Sequence, residues 1–132
     1  MLIALLALAA STAPGDIAGL WRTPVNDGVV RIAPCGAQIC GRVVASAQLR
    51  AAPGQKDARN HAPALRGRAI KGLLVLQLKP LGPRRWGEGF VYNPDDGGTY
   101  KATAELPGDG SLRLTGCIVA PLCRTQVWTR VK

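Results

Sequence analysis

Four cysteines are the residues whose spacing most directly suggests chemistry. They form two close pairs, Cys35 with Cys40 and Cys117 with Cys123, and each pair brackets a short stretch that contains a turn former or breaker. Zinc knuckles more often place two to four residues between cysteines, and redox motifs place two. Paired strands could bring each pair within disulfide range. We therefore predict two local disulfides, with a four-cysteine zinc site and a catalytic dithiol as alternatives.

Acid–base chemistry has few candidates. His61 is the single histidine, and no serine lies in a GxSxG elbow. Asp95 and Asp96 in "YNPDDGGTY" could form a carboxylate pair, but the preceding proline and the following glycines are typical of a turn. We therefore expect no enzyme and assign no catalytic residue, metal or cofactor. A hydrolase-type activity that uses His61 or Glu88 is the alternative.

The N-terminal stretch "MLIALLALAASTAPG" is an apolar run followed by small residues. It resembles a secretory signal peptide, although no basic residue precedes the run, and it is too short to span a bilayer. We predict a signal peptide over 1–13, with Ser11 and Ala13 at the cleavage site, and one domain over 14–132; the alternative is an N-terminal helix of the mature domain. An exported protein, periplasmic or secreted, would form disulfides.

Short alternating runs separated by Gly, Pro, Asn and Asp predict an all-β domain. In "YKATAEL" the apolar and polar residues alternate, so one face of this strand is expected to be buried. Consecutive antiparallel strands in a short chain favour a small closed up-and-down barrel of about eight strands, because closure removes exposed edges. The predicted strands are 18–23, 28–34, 39–45, 72–79, 86–92, 98–106, 111–118 and 123–131.

One segment, roughly 46–71, shows no strand alternation and is expected to form a long basic loop with a short helical turn near residues 62–66. The formal net charge is +9, and residues 50–85 hold nine basic residues against Asp57 alone. Such a block attracts anions such as lipid headgroups, acidic polysaccharide or a ligand carboxylate. A solubilising loop without a partner is the alternative. Nucleic acid is disfavoured, because no strand carries interleaved exposed aromatics.

Several motifs in order resemble a known family: "GLW", "VVRIAPCGAQICGRVV", "DARN", "ALRGRAIKG", "WGEGFVYNPDDGGTYKATAEL", "LRLTGC" and "TQVWTR". The chain resembles the bacterial secreted domain-of-unknown-function family 2147. That resemblance implies an exported β-barrel of the lipocalin or calycin type with no established enzymatic activity. It also implies that Trp21 packs at the closed barrel end against an arginine of the last strand, Arg130 or alternatively Arg124.

The function we expect is that of a periplasmic binding protein for a small amphipathic or anionic ligand, with the apolar part of the ligand inside the barrel. The candidate ligand-binding residues are Arg66, Arg68, Trp86, Tyr92 and Tyr100. The alternative is an envelope interaction protein with a filled barrel, which docks on anionic lipid or polysaccharide through the basic 50–85 segment. We expect a monomer that does not bind nucleic acid. Whether the barrel is open or filled is left open by the sequence.

Overall fold

Eight strands form a closed antiparallel barrel in the computed structural model, which describes residues 17–118 and 122–131. The expected signal peptide lies outside the described residues. Each strand pairs with its neighbours in sequence, and the last pairs with the first. The strands are β1 (Gly19–Arg22), β2 (Val29–Cys35), β3 (Gln38–Ala45), β4 (Leu74–Gly82), β5 (Arg85–Asn93), β6 (Gly98–Glu105), β7 (Ser111–Cys117) and β8 (Cys123–Arg130).

The predicted fold class and the eight predicted strands are confirmed, with differences of one to three residues at their ends. β6 illustrates why the prediction succeeds: Ala102 and Ala104 are buried, while Lys101, Thr103 and Glu105 between and beside them are exposed. An alternation with period two is the signature of a sheet that is buried on one face.

Because all neighbouring strands are antiparallel, successive connections alternate between the two ends of the barrel. The connections β1–β2, β3–β4, β5–β6 and β7–β8 share one end, which we call the upper end. The connections β2–β3, β4–β5 and β6–β7 share the other, the lower end, together with the beginning of β1 and the end of β8.

The buried apolar side chains form one contiguous cluster. Trp21, Trp86 and Trp128 belong to it and are at most 4% exposed. Their bulk compensates for the small Ala102 and Ala104 on the inner face of β6, so that large and small side chains interdigitate. The aliphatic members come mainly from β2, β3, β4 and β7: Val30, Ile32, Ile39, Leu76, Leu78, Leu112 and Leu114.

Trp21 and Arg130 close the lower end of the barrel. The Arg130 guanidinium lies over the Trp21 ring, 4.1 Å from its centroid, and its Nη1 donates to the Ala18 carbonyl over 2.7 Å. Trp21 Nε1 donates to the Ile17 carbonyl over 2.8 Å. Gly19 is required beside this stack: its φ is +128°, and a Cβ there would lie 2.9 Å from Arg130 Nη1. The arginine over Trp21 is therefore Arg130 and not Arg124.

Both predicted disulfides are formed, Cys35–Cys40 and Cys117–Cys123. The first joins the ends of β2 and β3 at the lower end, and the second joins β7 and β8 at the upper end. All four sulfurs are therefore occupied, so none of them is available as a zinc ligand in this oxidised form of the protein.

The β3–β4 connection, residues 46–73, contains more regular structure than the sequence predicted. A 3-10 helix at Pro63–Leu65 confirms the helical turn, but helix α1 (Ala47–Ala51) was not predicted. Ser46 begins α1, and its Oγ accepts the Leu49 amide over 3.1 Å, which satisfies one free donor of the first turn. Leu49 and Ile70 are buried and belong to the core cluster, so this connection, here called the basic segment, packs on the barrel.

In the described ranges, no helix is long and apolar enough to cross a membrane.

Candidate functional site

Asp57 anchors the basic segment to the barrel. Its side chain has no exposed surface, and its Oδ1 accepts the Tyr92 hydroxyl over 2.6 Å. Its Oδ2 accepts Asn60 Nδ2 and Arg68 Nε, each over 3.0 Å. The Asp57 amide also donates to the Arg68 carbonyl. One carboxylate thus holds two points of the basic segment against β5.

These contacts determine the protonation states of Asp57 and Tyr92. Burial raises the pKa of the Asp57 carboxyl, but the hydrogen bonds from Tyr92, Asn60 and Arg68 and the charge of Arg68 outweigh burial and hold the pKa below its usual value. Burial, followed by the hydrogen bond and the charge of Asp57, raises the pKa of Tyr92 to about 12. Asp57 is therefore a carboxylate, and Tyr92 a neutral phenol, throughout the neutral range.

Arg68 is oriented by this cluster and still available to a ligand. Its Nε bonds to Asp57, and its guanidinium carbon lies 5.5 Å from the centroid of the Tyr92 ring. The side chain is 39% exposed. Its two terminal nitrogens have no hydrogen-bond partner among the described residues. An arginine whose Nε is occupied presents its remaining N–H groups as a fixed fork for an oxyanion.

A cavity of about 240 Å³ lies beside this arginine. Its walls are the two aromatic side chains Phe90 and Tyr92 together with Leu74, and its polar contributors are Arg68 and Thr99. The cavity therefore combines an apolar surface with one cationic group. That combination suits a small molecule with an apolar part and an acid group.

The cavity lies on the outer face of the sheet. Ala102 and Ala104 face the core, so Thr99 and Lys101 on the same strand face outward. Tyr92 pairs with Thr99, and Phe90 pairs with Lys101, and directly paired residues share a face. The sequence-based expectation that the apolar part of a ligand enters the barrel therefore does not apply to this cavity, which lies between the sheet and the basic segment.

The structure brings together two of the five candidate ligand residues, Arg68 and Tyr92, and separates the other three. Trp86 is 4% exposed within the core. Tyr100 lies on the face of β6 opposite Thr99, and its hydroxyl donates to Asp96 over 2.6 Å; this bond, with burial and the Asp96 charge, raises the pKa of Tyr100. Arg66 Nε donates to the Asn60 carbonyl over 2.7 Å. None of the three lines the cavity.

Sequence reasoning missed Asp57 as the residue that organises the site, along with Leu74, Phe90 and Thr99. The signal for Asp57 was present, because it is the single acidic residue among nine basic ones over 50–85. An isolated carboxylate in such a block is the natural partner of its neighbours when the segment packs down. The other three residues carried no distinctive signal, since their role depends on which face of the sheet the basic segment covers.

The acid–base candidates lie in the basic segment, in β5 and in the β5–β6 connection. His61 Nε2 is 3.0 Å from the Asp96 carbonyl oxygen, and the exposed Glu88 sits in an irregularity of β5 with a φ of 53°. Asp95 and Asp96 belong to the β5–β6 connection, which is a turn as predicted: Asp96 Oδ1 accepts the Gly98 amide over 2.8 Å. Within residues 17–118 and 122–131, no cluster of three metal-ligating side chains occurs.

An eight-stranded up-and-down barrel whose closed end is a tryptophan under an arginine has a lipocalin-like fold. The chain belongs to the DUF2147 family, described as uncharacterized proteins conserved in bacteria, whose profile matches residues 19–130. This confirms the resemblance seen in the sequence.

Among solved structures, the chain is similar to protein HP1028 from the human pathogen Helicobacter pylori, which is described as belonging to the lipocalin family. The two share 23% sequence identity with a TM-score of 0.76, over 87% of this chain and 82% of that chain. At this identity, the likeness concerns the fold. No curated protein matches the chain significantly.

Proposed function

We propose that this protein is an exported, non-catalytic binding protein that takes a small amphipathic anion between its basic segment and the outer face of its barrel. The observation that carries the proposal is the cavity of about 240 Å³ in which the partly exposed Arg68 guanidinium lies beside Phe90 and Tyr92. The two disulfides and the signal-like N-terminal sequence support export to an oxidising compartment.

The dimensions of the cavity limit the ligand. The cavity is open to solvent and smaller than the roughly 300–1,000 Å³ of pockets for drug-sized ligands, so the part of the ligand that it holds is expected to be one ring or a short chain with one acid group. The apolar part would rest on Phe90, Tyr92 and Leu74. The oxyanion would accept hydrogen bonds from the terminal nitrogens of Arg68. Because Asp57 already fixes Arg68, little side-chain entropy is lost on binding.

Titration with benzoate, followed by NMR chemical shifts, tests this proposal, with benzyl alcohol as the neutral comparison. We expect saturable shifts at Leu74, Phe90 and Thr99 for benzoate and weaker binding of benzyl alcohol. Thr99→Phe fills the cavity and should weaken benzoate binding by about tenfold or more, which is at least about 1.4 kcal/mol. Thr103→Phe lies on the same exposed face of β6 but outside the cavity, and should leave binding unchanged.

Arg68→Gln tests the charge separately. It should reduce the preference for benzoate over benzyl alcohol while the binding of the neutral compound persists. Equal binding of the two compounds by the unmodified protein, or benzoate binding that Thr99→Phe leaves intact, would exclude this cavity as an anion site. Thermal unfolding of each variant identifies any that has lost its fold.

A second candidate, docking on an anionic envelope surface, is favoured by the number of cations without acidic partners. Of the nine basic residues over 50–85, only Arg50 and Arg68 form ion pairs with described residues, with Asp27 and Asp57. These nine basic residues are, however, divided between the two ends of the barrel. Residues of the basic segment belong to the upper end, whereas Lys79 in β4, Arg84 in the β4–β5 turn and Arg85 at the start of β5 lie toward the lower end.

Charge reversal at the two ends separates these surfaces. Lys56→Glu with Lys71→Glu changes the upper end, and Lys79→Glu with Arg85→Glu makes the same charge change at the lower end. We expect that only the upper-end pair reduces salt-dependent binding to phosphatidylglycerol vesicles. Equal losses for both pairs would indicate an effect of net charge rather than a docking surface.

A further inference from the structure

The two most exposed large apolar side chains described are neighbours at the upper end of the barrel. Ile118 is 65% exposed and Leu122 is 66% exposed, whereas the other large exposed apolar residues range from 41% to 51%. Both lie just beyond the Cys117–Cys123 disulfide in the β7–β8 connection. Residues 119–121, between them, lie outside the described residues.

The covalent clamp explains why these side chains remain exposed. Cys117 and Cys123 are directly paired and disulfide-bonded, and the Ile118 amide donates to the Leu122 carbonyl over 3.1 Å immediately above them. The hairpin therefore keeps its strands together up to Ile118 and Leu122, which limits their ability to fold back onto the barrel. Contiguous exposed apolar side chains commonly mark an interaction surface.

Cations surround the base of this hairpin. Lys101 is the direct β6 partner of Cys117, and Arg124 follows Cys123; both are exposed and form no hydrogen bond or ion pair with described residues. The basic segment occupies the same end of the barrel with six basic residues, and its single acidic residue, Asp57, is buried. The exposed acidic residues of the neighbouring connections, Asp27, Asp95 and Asp96, are fewer than these cations. Two exposed apolar side chains with cations beside them match the depth profile of an anionic bilayer, in which phosphates lie above hydrocarbon.

We propose that Ile118 and Leu122 insert into the interfacial region of an anionic lipid bilayer, with Lys101 and Arg124 at the level of the phosphates. A second copy of the chain fits this surface less well. The chain has a net charge of +9, and contact between two copies here would bring Lys101 and Arg124 of one copy close to the same cations of the other. The inference is independent of the small-ligand cavity. It deepens the surface-docking candidate by naming the partner and the residues that enter it.

Cosedimentation of the full chain with vesicles of phosphatidylglycerol and phosphatidylcholine in equal parts measures how much Ile118 and Leu122 contribute to membrane binding. Ile118→Ser with Leu122→Ser should lower the partition coefficient by about tenfold or more, because two large apolar side chains are lost. Leu81→Ser with Val127→Ser removes two exposed apolar side chains elsewhere and should have little effect. Vesicles of phosphatidylcholine alone should bind the unmodified protein weakly.

Insertion itself is measured with lipids brominated in their acyl chains. Tryptophan introduced by Leu122→Trp should be quenched on binding, whereas tryptophan introduced by Val127→Trp on β8 should not. The three native tryptophans are buried in the barrel.

Two results would overturn the proposal and leave headgroup docking alone: binding without quenching of Leu122→Trp, or serine variants that bind as tightly as the unmodified protein. Association of the free chain that depends on Ile118 and Leu122 would also overturn it, in favour of a dimer contact. Thr99→Phe should leave vesicle binding unchanged, which separates this result from that of the cavity.

Discussion

At the scale of single residues, the organising group is the buried carboxylate of Asp57. A carboxylate without solvent contact is costly unless its oxygens are hydrogen-bonded, and here both oxygens accept bonds from three side chains. The arrangement fixes the basic segment on Tyr92 and simultaneously orients Arg68. A residue that looks like a minority charge in the sequence therefore determines the geometry of the candidate site.

Asp57→Asn tests this anchoring role. The amide retains the size of the carboxylate but removes the charge that Arg68 and the Tyr92 hydroxyl bind, so we expect the free energy of unfolding to fall by about 2–3 kcal/mol. Asp95→Asn is the matched control, since Asp95 is an exposed carboxylate that accepts one bond from Asn26; its effect should stay within about 0.5 kcal/mol. Similar effects in the two variants, measured by urea unfolding, would refute the anchoring role.

The two tyrosines provide a spectroscopic test of the same contact. In Tyr100→Phe, the absorbance of tyrosinate should appear with a pKa of about 12 for Tyr92. An unfolded tyrosine ionises near pH 10, so the stability that this raised pKa contributes is fully present below about pH 10 and is lost as the pH rises through about 12. In the combined Tyr100→Phe and Asp57→Asn variant, the pKa of Tyr92 should be lower than in Tyr100→Phe, although burial still raises it. Ionisation near pH 10 with Asp57 intact would contradict the contact.

At the scale of elements, the basic segment is held by the β5–β6 turn as well as by Asp57. The His61 amide donates to the Gly97 carbonyl, and Arg59 Nη1 donates to the Asp95 carbonyl over 3.0 Å. The backbone of Gly97 lies close to the backbone of the basic segment. Gly97 has a φ of +73°, and a Cβ there would lie 1.7 Å from the Arg59 carbonyl oxygen. Only glycine allows both the backbone conformation and this contact.

Gly97→Ala should therefore displace the basic segment from the turn. Gly36→Ala is the control, because Gly36 has a similar φ of +67° but a Cβ added there would meet nothing within 4 Å. Both variants incur the strain of a left-handed alanine, and Gly97→Ala should cost about 1–3 kcal/mol more, from overlap. Amide exchange should also rise in the basic segment for Gly97→Ala alone. Equal costs for the two variants would show that the turn does not hold the segment.

The elements also differ in how far the sequence predicted them. Strands such as β6 alternate cleanly and were predicted to within a residue or two, because one buried face imposes a period of two. Helix α1 was missed because five residues are too few to establish a helical period, and its recognisable signal was Ser46 at the N-cap. The path of the basic segment was not predictable, since the contacts of Asp57 with Tyr92 span 35 positions.

At the scale of the whole molecule, the barrel brings together residues whose association no local pattern reveals. The sequence indicated Arg68 and Tyr92 through their residue types, and the structure joins them on one carboxylate. It also predicted Trp86 and Tyr100 beside them, which the register assigns to the face opposite Tyr92. The pairing register decides which residues share each face of the sheet. The sequence of one strand does not indicate which of those faces a distant segment will cover.

The same global arrangement places the two disulfides at opposite ends of the barrel, and this predicts how they combine. Each closes a ring of about six residues, for which the loop-entropy model gives about 2 kcal/mol. Replacing either pair with serine should lower the free energy of unfolding by that amount, and replacing both should lower it by about 4 kcal/mol, because the two disulfides lie at opposite ends of the barrel and share no partner residue. Urea unfolding of the three variants measures this. A combined loss that clearly exceeds the sum would mean that one clamp maintains the structure that the other stabilises, and that the two ends of the barrel are coupled through its core.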